Sequence, residues 1–344
     1  MTFRSIALAA ALTLGLVTGA QAQQAVTLKF HTFMTPQSNV WRSMLVPWMD
    51  KVEKDSGGRI RFERYPAMQL GGTPLQLYDQ ARDGVVDIVW TLPGNTAGRF
   101  PRVEVFELPF MMNNAEATSK AYWEYVQTQA PEEFKDTHVI ALHVHGPGMF
   151  HSATKQIRSV ADLRGMKVRG PTRQITKMLG SVGATPVGMP LPAITDALSK
   201  GTIDACVIPW EVVPSIKVHE LTKFHSEFDK TGGALYTTTF VMAMNQAKYN
   251  SLAPDLKKVI DANSGMAASA WLGKTQQSND PAGRKTAVDR GNTIYQFTAA
   301  QRDEFVKLSS QIDDEWVADM DKRGFKGAQL LSTAKALIAK HGRG

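Results

Sequence analysis

Residues 161–210, ADLRGMKVRGPTRQITKMLGSVGATPVGMPLPAITDALSKGTIDACVIPW, decide the fold. Met166-Lys167-Val168-Arg169 reads as a short strand, Gly170 follows, and Pro171-Thr172 opens a helical pattern. The stretch closes on a second apolar strand, residues 203–208, entered from a glycine stop at Gly201. The turn after Arg169 sets a guanidinium beside free backbone N–H groups at a helix start. That combination suits an anion, and above all a carboxylate.

Upstream, the same alternation of elements recurs. Residues 26–30 (VTLKF) alternate as a strand does, and residues 40–54 carry Trp41, Met44, Leu45, Trp48, Met49 and Val52 at helical spacing. Gly57-Gly58 stops that helix and residues 59–65 return to alternation. Thr73-Pro74 then starts a further helix. Strand, helix, strand, helix predicts a largely parallel α/β sheet. A weak internal repeat supports two such units: Gly84-Val85-Val86-Asp87-Ile88 and Gly201-Thr202-Ile203-Asp204-Ala205 each read as helix, glycine stop and short apolar strand, with aspartate three residues after the glycine. The two strands end at Trp90 and at Pro209-Trp210. Ligands of open α/β sheets gather beyond the carboxyl ends of strands. The last third is helical, with one pattern from Ser251 through Leu272, an interruption or kink at Asn279-Asp280-Pro281, and an amphipathic run over 298–320.

The chain opens as an export signal: a positive start at residues 1–4, an apolar run over 6–17, and Ala20-Gln21-Ala22 as a small-x-small cleavage site. That run falls short of the roughly 20 apolar residues of a membrane span, so the mature protein is expected to begin at Gln23, exported and not membrane-spanning. Cys206 is the only cysteine, which rules out an internal disulfide, and its apolar neighbours read as a buried strand. The net charge of +7 is spread among acids and apolar residues, without the clustering or motifs of a nucleic-acid binder, and its field favours small anions.

Three ordered motifs carry a family resemblance: D-L-R-G-M-K-V-R at 162–169, G-A-T-P-V-G-M at 183–189 and A-L-S-K-G-T-I-D at 197–204. Residues 26 to about 331 resemble the DctP-like solute-binding proteins of TRAP transporters. The resemblance implies an α/β, type II periplasmic-binding-protein fold: two lobes around a ligand cleft, several chain crossings, and a long lobe-spanning helix. Lobe one is expected over 23–146 and 234–273, and lobe two over 147–233 and 274–344. A periplasmic receptor is implied, with no chemistry of its own and no cofactor, which binds a small organic acid and delivers it to the TRAP membrane permease subunits.

Carried over residue by residue, the resemblance makes Arg169 the partner of the ligand carboxylate, and a bidentate fork explains why arginine rather than lysine stands there. Arg173, a cation opposing the dipole of a first helical turn, is a candidate second anion contact. Trp90 and Trp210 are expected to face each other across the cleft. The pocket departs from more polar relatives, with Ile208 in place of a frequent asparagine, Met149 where a further arginine often stands, and Leu92 in place of a polar or acidic residue. With Phe33, Phe150 and Leu191 also in range, an aromatic or otherwise apolar monocarboxylate fits better than a dicarboxylate or sugar acid. His145 or His151 is expected to donate a hydrogen bond to it.

Two other classes fit the sequence less well. His143, His145 and His151 invite a metal-receptor reading, but no acidic residue lies near them in sequence and zinc needs three or four convergent ligands, so no metal is expected. An exported hydrolase or isomerase using the same cleft lacks G-x-S-x-G, H-E-x-x-H, a P-loop and a strand-borne G-x-G-x-x-G.

Overall fold

Two separate sheets divide the strands between them in the computed structural model, which describes residues 25–229 and 233–343. The expected export signal lies outside the described residues. The first sheet has the order β2-β1-β3-β10-β4, from Val26–Thr32 (β1), Ile60–Tyr65 (β2), Ile88–Thr91 (β3), Thr137–Val144 (β4) and Thr239–Asn245 (β10). The second has the order β11-β9-β5-β8-β6-β7, from Gly148–Ser152 (β5), Lys167–Gly170 (β6), Thr185–Gly188 (β7), Ala205–Pro209 (β8), Phe224–Glu227 (β9) and Thr293–Gln296 (β11).

The internal repeat corresponds to real equivalence. Asp87 and Asp204 each accept a backbone N–H of the neighbouring parallel strand, Lys29 at 2.7 Å and Lys167 at 2.8 Å, and each returns its own N–H to that residue's carbonyl. A short side chain three residues past a glycine turn can reach only the strand beside it, so the spacing fixes the register in both lobes.

The sheets are mixed rather than largely parallel. β1 pairs in parallel with β2 and β3, and β6 with β7 and β8, as the helix-linked pattern requires. β10 and β5, however, enter from the opposite lobe and run antiparallel to their neighbours. The crossings β4 to β5 and β9 to β10 carry the chain between sheets, and neither carries a strand-alternation break that would announce the reversal.

Helix patterns hold with local breaks. The 40–54 pattern is a π-helical turn, Val40–Leu45, running into an α-helix, Val46–Asp55. Pro47 has no N–H to give, and Val46 bonds back to Trp41, one residue further than an α-helix would reach. The 251–272 pattern is divided between Pro254–Ala262 and Gly265–Ser278, because Gly265 takes a φ of 84° that ends one helix and begins the next. The lobe-spanning element is jointed: Gly265–Ser278 packs on the first lobe's helix Ala115–Gln129, and after Asn279 the helix Asp280–Asp289 lies against the second lobe. There Gly283 lies so near the Trp210 carbonyl that an added Cβ would come within 2.0 Å of it. The 298–320 run breaks once, at Ser310, between Ala299–Ser309 and Gln311–Lys322.

The final helix, Gly327–His341, which the sequence reading assigned to the second lobe with everything after residue 273, contacts both the preceding helix Gln311–Lys322 and a first-lobe helix. It packs on Ala115–Gln129, burying Leu330, Ala334 and Ile338, and Lys340 and His341 both reach Glu124. Apolar periodicity shows that such a helix needs a partner without showing which lobe supplies it. Among the described residues no helix is long and apolar enough to cross a membrane.

Candidate functional site

The carboxyl ends of β1, β3, β6 and β8 converge on a cavity between the sheets that encloses about 410 Å³ of unfilled space, part of it open to solvent. Arg169 projects into it from the end of β6, the strand held between β7 and β8. Nε donates to the Met189 carbonyl at 2.9 Å and Nη1 to the Val207 carbonyl at 3.3 Å, so both neighbouring segments orient the guanidinium before any ligand arrives. The residue is 3% exposed, and burial lowers its pKa from the ordinary arginine value. Among the described residues no carboxylate pairs with it; the groups that influence it electrostatically are Tyr236 and Cys206. A buried cation without an anion is costly unless a ligand supplies one.

Around this cation stand two hydroxyls with no hydrogen bond to any described residue, those of Tyr236 and Thr238, both on cavity-lining side chains. Burial raises the Tyr236 pKa while Arg169 opposes the rise, which places the phenol within the cation's field. Arg169, Tyr236 and Thr238 together offer a positive fork and two O–H donors, the set a carboxylate's two oxygens require.

The remaining wall is aromatic and aliphatic. Trp90 stacks on Phe240 with ring centroids 4.5 Å apart and planes 14° apart, and Phe33 tilts against Trp90 at 5.6 Å. Leu92, Leu191 and Ile208 complete the apolar lining. The Trp90 indole N–H donates to His143 Nε2 at 2.8 Å; burial pushes this histidine down to about 3, keeping it neutral and able to accept.

Of the residues singled out in the sequence, Arg169, Trp90, Phe33, Leu191, Ile208 and Leu92 line this cavity. The others do not. Arg173 is held by Glu104, with its Nε 3.2 Å from one carboxylate oxygen, and by Asp319 at 3.0 Å, so two carboxylates already compensate it. Trp210 turns away from Trp90; its indole N–H donates to Glu227 at 2.9 Å, and it lines a separate hollow with Met149. Phe150 is fully buried against Phe297 and Phe305, because strand alternation sends it to the opposite face of β5 from Met149. His151 contacts His225 at 2.7 Å and the Ile208 carbonyl at 3.1 Å, and has no ring nitrogen left for a ligand. His145 is similarly occupied: Nδ1–H donates to the Gly146 carbonyl, Nε2 accepts from the Thr238 N–H at 3.1 Å, and burial pushes it down to about 4.

Sequence reasoning missed Tyr236, Thr238, Phe240, Glu211 and Gln276. Tyr236 to Phe240 return from the other lobe, with no local motif to mark them. Glu211 directly follows the quoted stretch and was legible only as the residue after Trp210. No group of three or more His, Cys, Asp or Glu able to hold a metal occurs among the described residues. Cys206 is buried, and desolvation pushes its thiol up to about 12, the environment of an unreactive core residue.

Polar bridges tie the lobes above the cavity. Glu107 accepts from the Thr172 hydroxyl at 2.6 Å on one side, and from the Thr239 N–H and hydroxyl at 3.0 and 2.8 Å on the other. Asn39 Nδ2 donates to the Glu211 carbonyl at 3.2 Å.

Two lobes closing on one oriented cation and an aromatic wall define a solute-binding protein. The chain belongs to the bacterial extracellular solute-binding proteins of family 7, DctP, whose family model matches residues 31–319. A TRAP solute-binding protein from Rhodoferax ferrireducens T118, solved with copurified benzoate, is 68% identical, with a TM-score of 0.92 over 93% of this chain and 99% of that one. A marine metagenome TRAP solute-binding protein specific for aromatic acid ligands, solved with 3-hydroxybenzoate, is 50% identical, with a TM-score of 0.91 over 92% and 99% of the two chains. The outer membrane transporter protein TsaT of Comamonas testosteroni is 25% identical over 98% of this chain and 99% of its own. The family and these structural neighbours are solute-binding receptors rather than enzymes.

Proposed function

We propose that this protein is the periplasmic receptor of a TRAP-type transporter, that it binds an aromatic monocarboxylate between its lobes, and that it delivers the acid to the membrane permease. The observation that carries the ligand class is Arg169: a buried, pre-oriented guanidinium with no protein carboxylate, in a cavity otherwise walled by Trp90, Phe240, Phe33 and aliphatic side chains. Among the described residues a second carboxylate meets no second cation in the cavity lining, and Arg173 is engaged by Glu104 and Asp319. Benzoate and 3-hydroxybenzoate in the two similar proteins support the same class.

A thermal-shift series tests this reading. Benzoate at about 100 times its Kd is expected to add roughly 2.7 kcal/mol of stability, with succinate and hexuronates well below it. If a dicarboxylate or sugar acid gave the largest shift and aromatic acids gave none, the ligand class would be wrong.

The bridges through Glu107 and Asn39 belong to a closed arrangement, and the ligand is proposed to favour it by touching both lobes. Small-angle scattering is expected to show a smaller radius of gyration with saturating benzoate than without. Superimposable curves would rule out a large hinge motion.

A further inference from the structure

We propose that Glu211 and Gln276 form a second, uncharged polar pole in the cavity wall, which selects aromatic acids that carry a ring hydroxyl. Both residues line the cavity, yet they come from different parts of the fold, Glu211 from the end of β8 and Gln276 from the helix Gly265–Ser278. Glu211 is 0% exposed and Gln276 2% exposed. Gln276 Nε2 donates to Glu211 Oε1 at 2.7 Å, which ties the two groups together. The remaining oxygen of each, Glu211 Oε2 and Gln276 Oε1, is buried with no hydrogen-bond partner. Buried polar atoms are nearly always satisfied, so two orphans on one bonded pair in a ligand cavity point to a missing group.

The chemistry of that group follows from the charge state of the pair. Burial, opposed by the Gln276 hydrogen bond and aided by the neighbouring Asp280, whose Oδ1 accepts the Glu211 N–H at 3.0 Å, raises the Glu211 carboxyl to about 8. Glu211 is therefore a neutral acid at pH 7, with an O–H to donate from Oε2, while Gln276 Oε1 can only accept. One donor and one acceptor match a hydroxyl, which both accepts and donates. They match a second carboxylate poorly, since Gln276 Oε1 would face an anion with no hydrogen between them. Neutrality also leaves Arg169 as the single charge among the described residues lining the cavity, so an anionic ligand meets no repulsion from Glu211. A bare ring would fill the space and leave both oxygens unpaired, at a cost that a ring hydroxyl removes.

This inference rests on the aromatic-acid reading above, and the experiment separates the two. Isothermal titration would compare benzoate with 2-, 3- and 4-hydroxybenzoate on the wild type, Gln276→Leu, Glu211→Leu and Glu211→Gln. At least one hydroxybenzoate isomer is expected to bind the wild type about tenfold more tightly than benzoate. That ratio is expected to fall towards one in both leucine variants and to be largely recovered in Glu211→Gln, whose amide still donates where the neutral acid did. A purely structural role for the pair would lower affinity for all four acids alike and leave the ratio unmoved. Should no isomer outrank benzoate on the wild type, or should the advantage persist in both leucine variants, the hydroxyl pole is wrong. The wild-type series decides the first point even where a leucine variant fails to fold. Failure of all four acids to bind would instead overturn the aromatic-acid reading itself.

Discussion

Arg169→Ala is expected to weaken benzoate binding by roughly 30- to several-thousand-fold, about 2–5 kcal/mol. The guanidinium is buried and fixed through Nε and Nη1 by carbonyls of Met189 and Val207, so it loses little freedom when a carboxylate arrives. Without it the carboxylate would keep, among the described residues, the Tyr236 and Thr238 hydroxyls as donors but no cation. Arg169→Lys should recover only part of the loss, because an ammonium cannot satisfy the two carbonyls and still present a planar fork. Arg173→Ala supplies the contrast: it removes an ion pair with Glu104 and Asp319 away from the cavity, and is expected to change benzoate affinity far less. Titration of the three variants with benzoate is the check. If Arg169→Ala binds like the wild type, the carboxylate lies elsewhere in the cleft.

Arg169 was legible because its position depends only on local sequence. The strand 167–170, the glycine and the helix start are consecutive, and the turn they make puts the side chain at a strand's carboxyl end. The aspartates of the repeat were legible for the same reason, each reaching a strand that lies beside it in the sheet. Arg173 shows the limit of such reasoning. A cation in a first helical turn does call for an anion, and the structure meets that need with Glu104 and Asp319, residues 69 and 146 positions away in sequence. Nothing local distinguishes a protein carboxylate from a ligand carboxylate.

Trp210 and the β5 residues lie away from the cavity for a different reason. Met149, Phe150 and His151 are consecutive, yet on a strand they point to alternate faces, so they could not all line one cavity. β5 also runs antiparallel to β8, a reversal set by the crossing from the first lobe and invisible in the apolar pattern. The ring stacked on Trp90 is Phe240, a neighbour in the same sheet, whereas the sequence reading expected Trp210 to face it from the other lobe. Phe240 reaches that place on β10, which returns to the first sheet after the whole second lobe has been threaded. Antiparallel return strands of this kind are where pattern reading loses register, because the contact is made between residues far apart in the chain.

Trp90→Ala is expected to lower the stability of the ligand-free protein by about 3–5 kcal/mol and to abolish much of its preference for aromatic over aliphatic acids. Trp90 is 1% exposed and lies in the middle of a ring cluster, stacked on Phe240, near-parallel to His143 at 5.8 Å and tilted against Phe33. Its removal takes away a large apolar surface and enlarges the cavity. It also leaves His143 Nε2, which accepts the indole N–H at 2.8 Å, buried with nothing to accept. Trp90→Phe isolates that second effect. It keeps a ring over Phe240 but orphans the same nitrogen, an expected cost of about 1–3 kcal/mol, with aromatic preference mostly kept. Urea midpoints give the stability of each variant, and titrations with benzoate and with cyclohexanecarboxylate, an aliphatic acid of similar outline, give the preference. If Trp90→Ala lost less than about 1 kcal/mol, the indole would not be a packed part of the cluster. If it kept the wild-type ratio between the two acids, the ring would not be the surface on which the ligand is read, and discrimination would have to come from Phe33 and Phe240 alone.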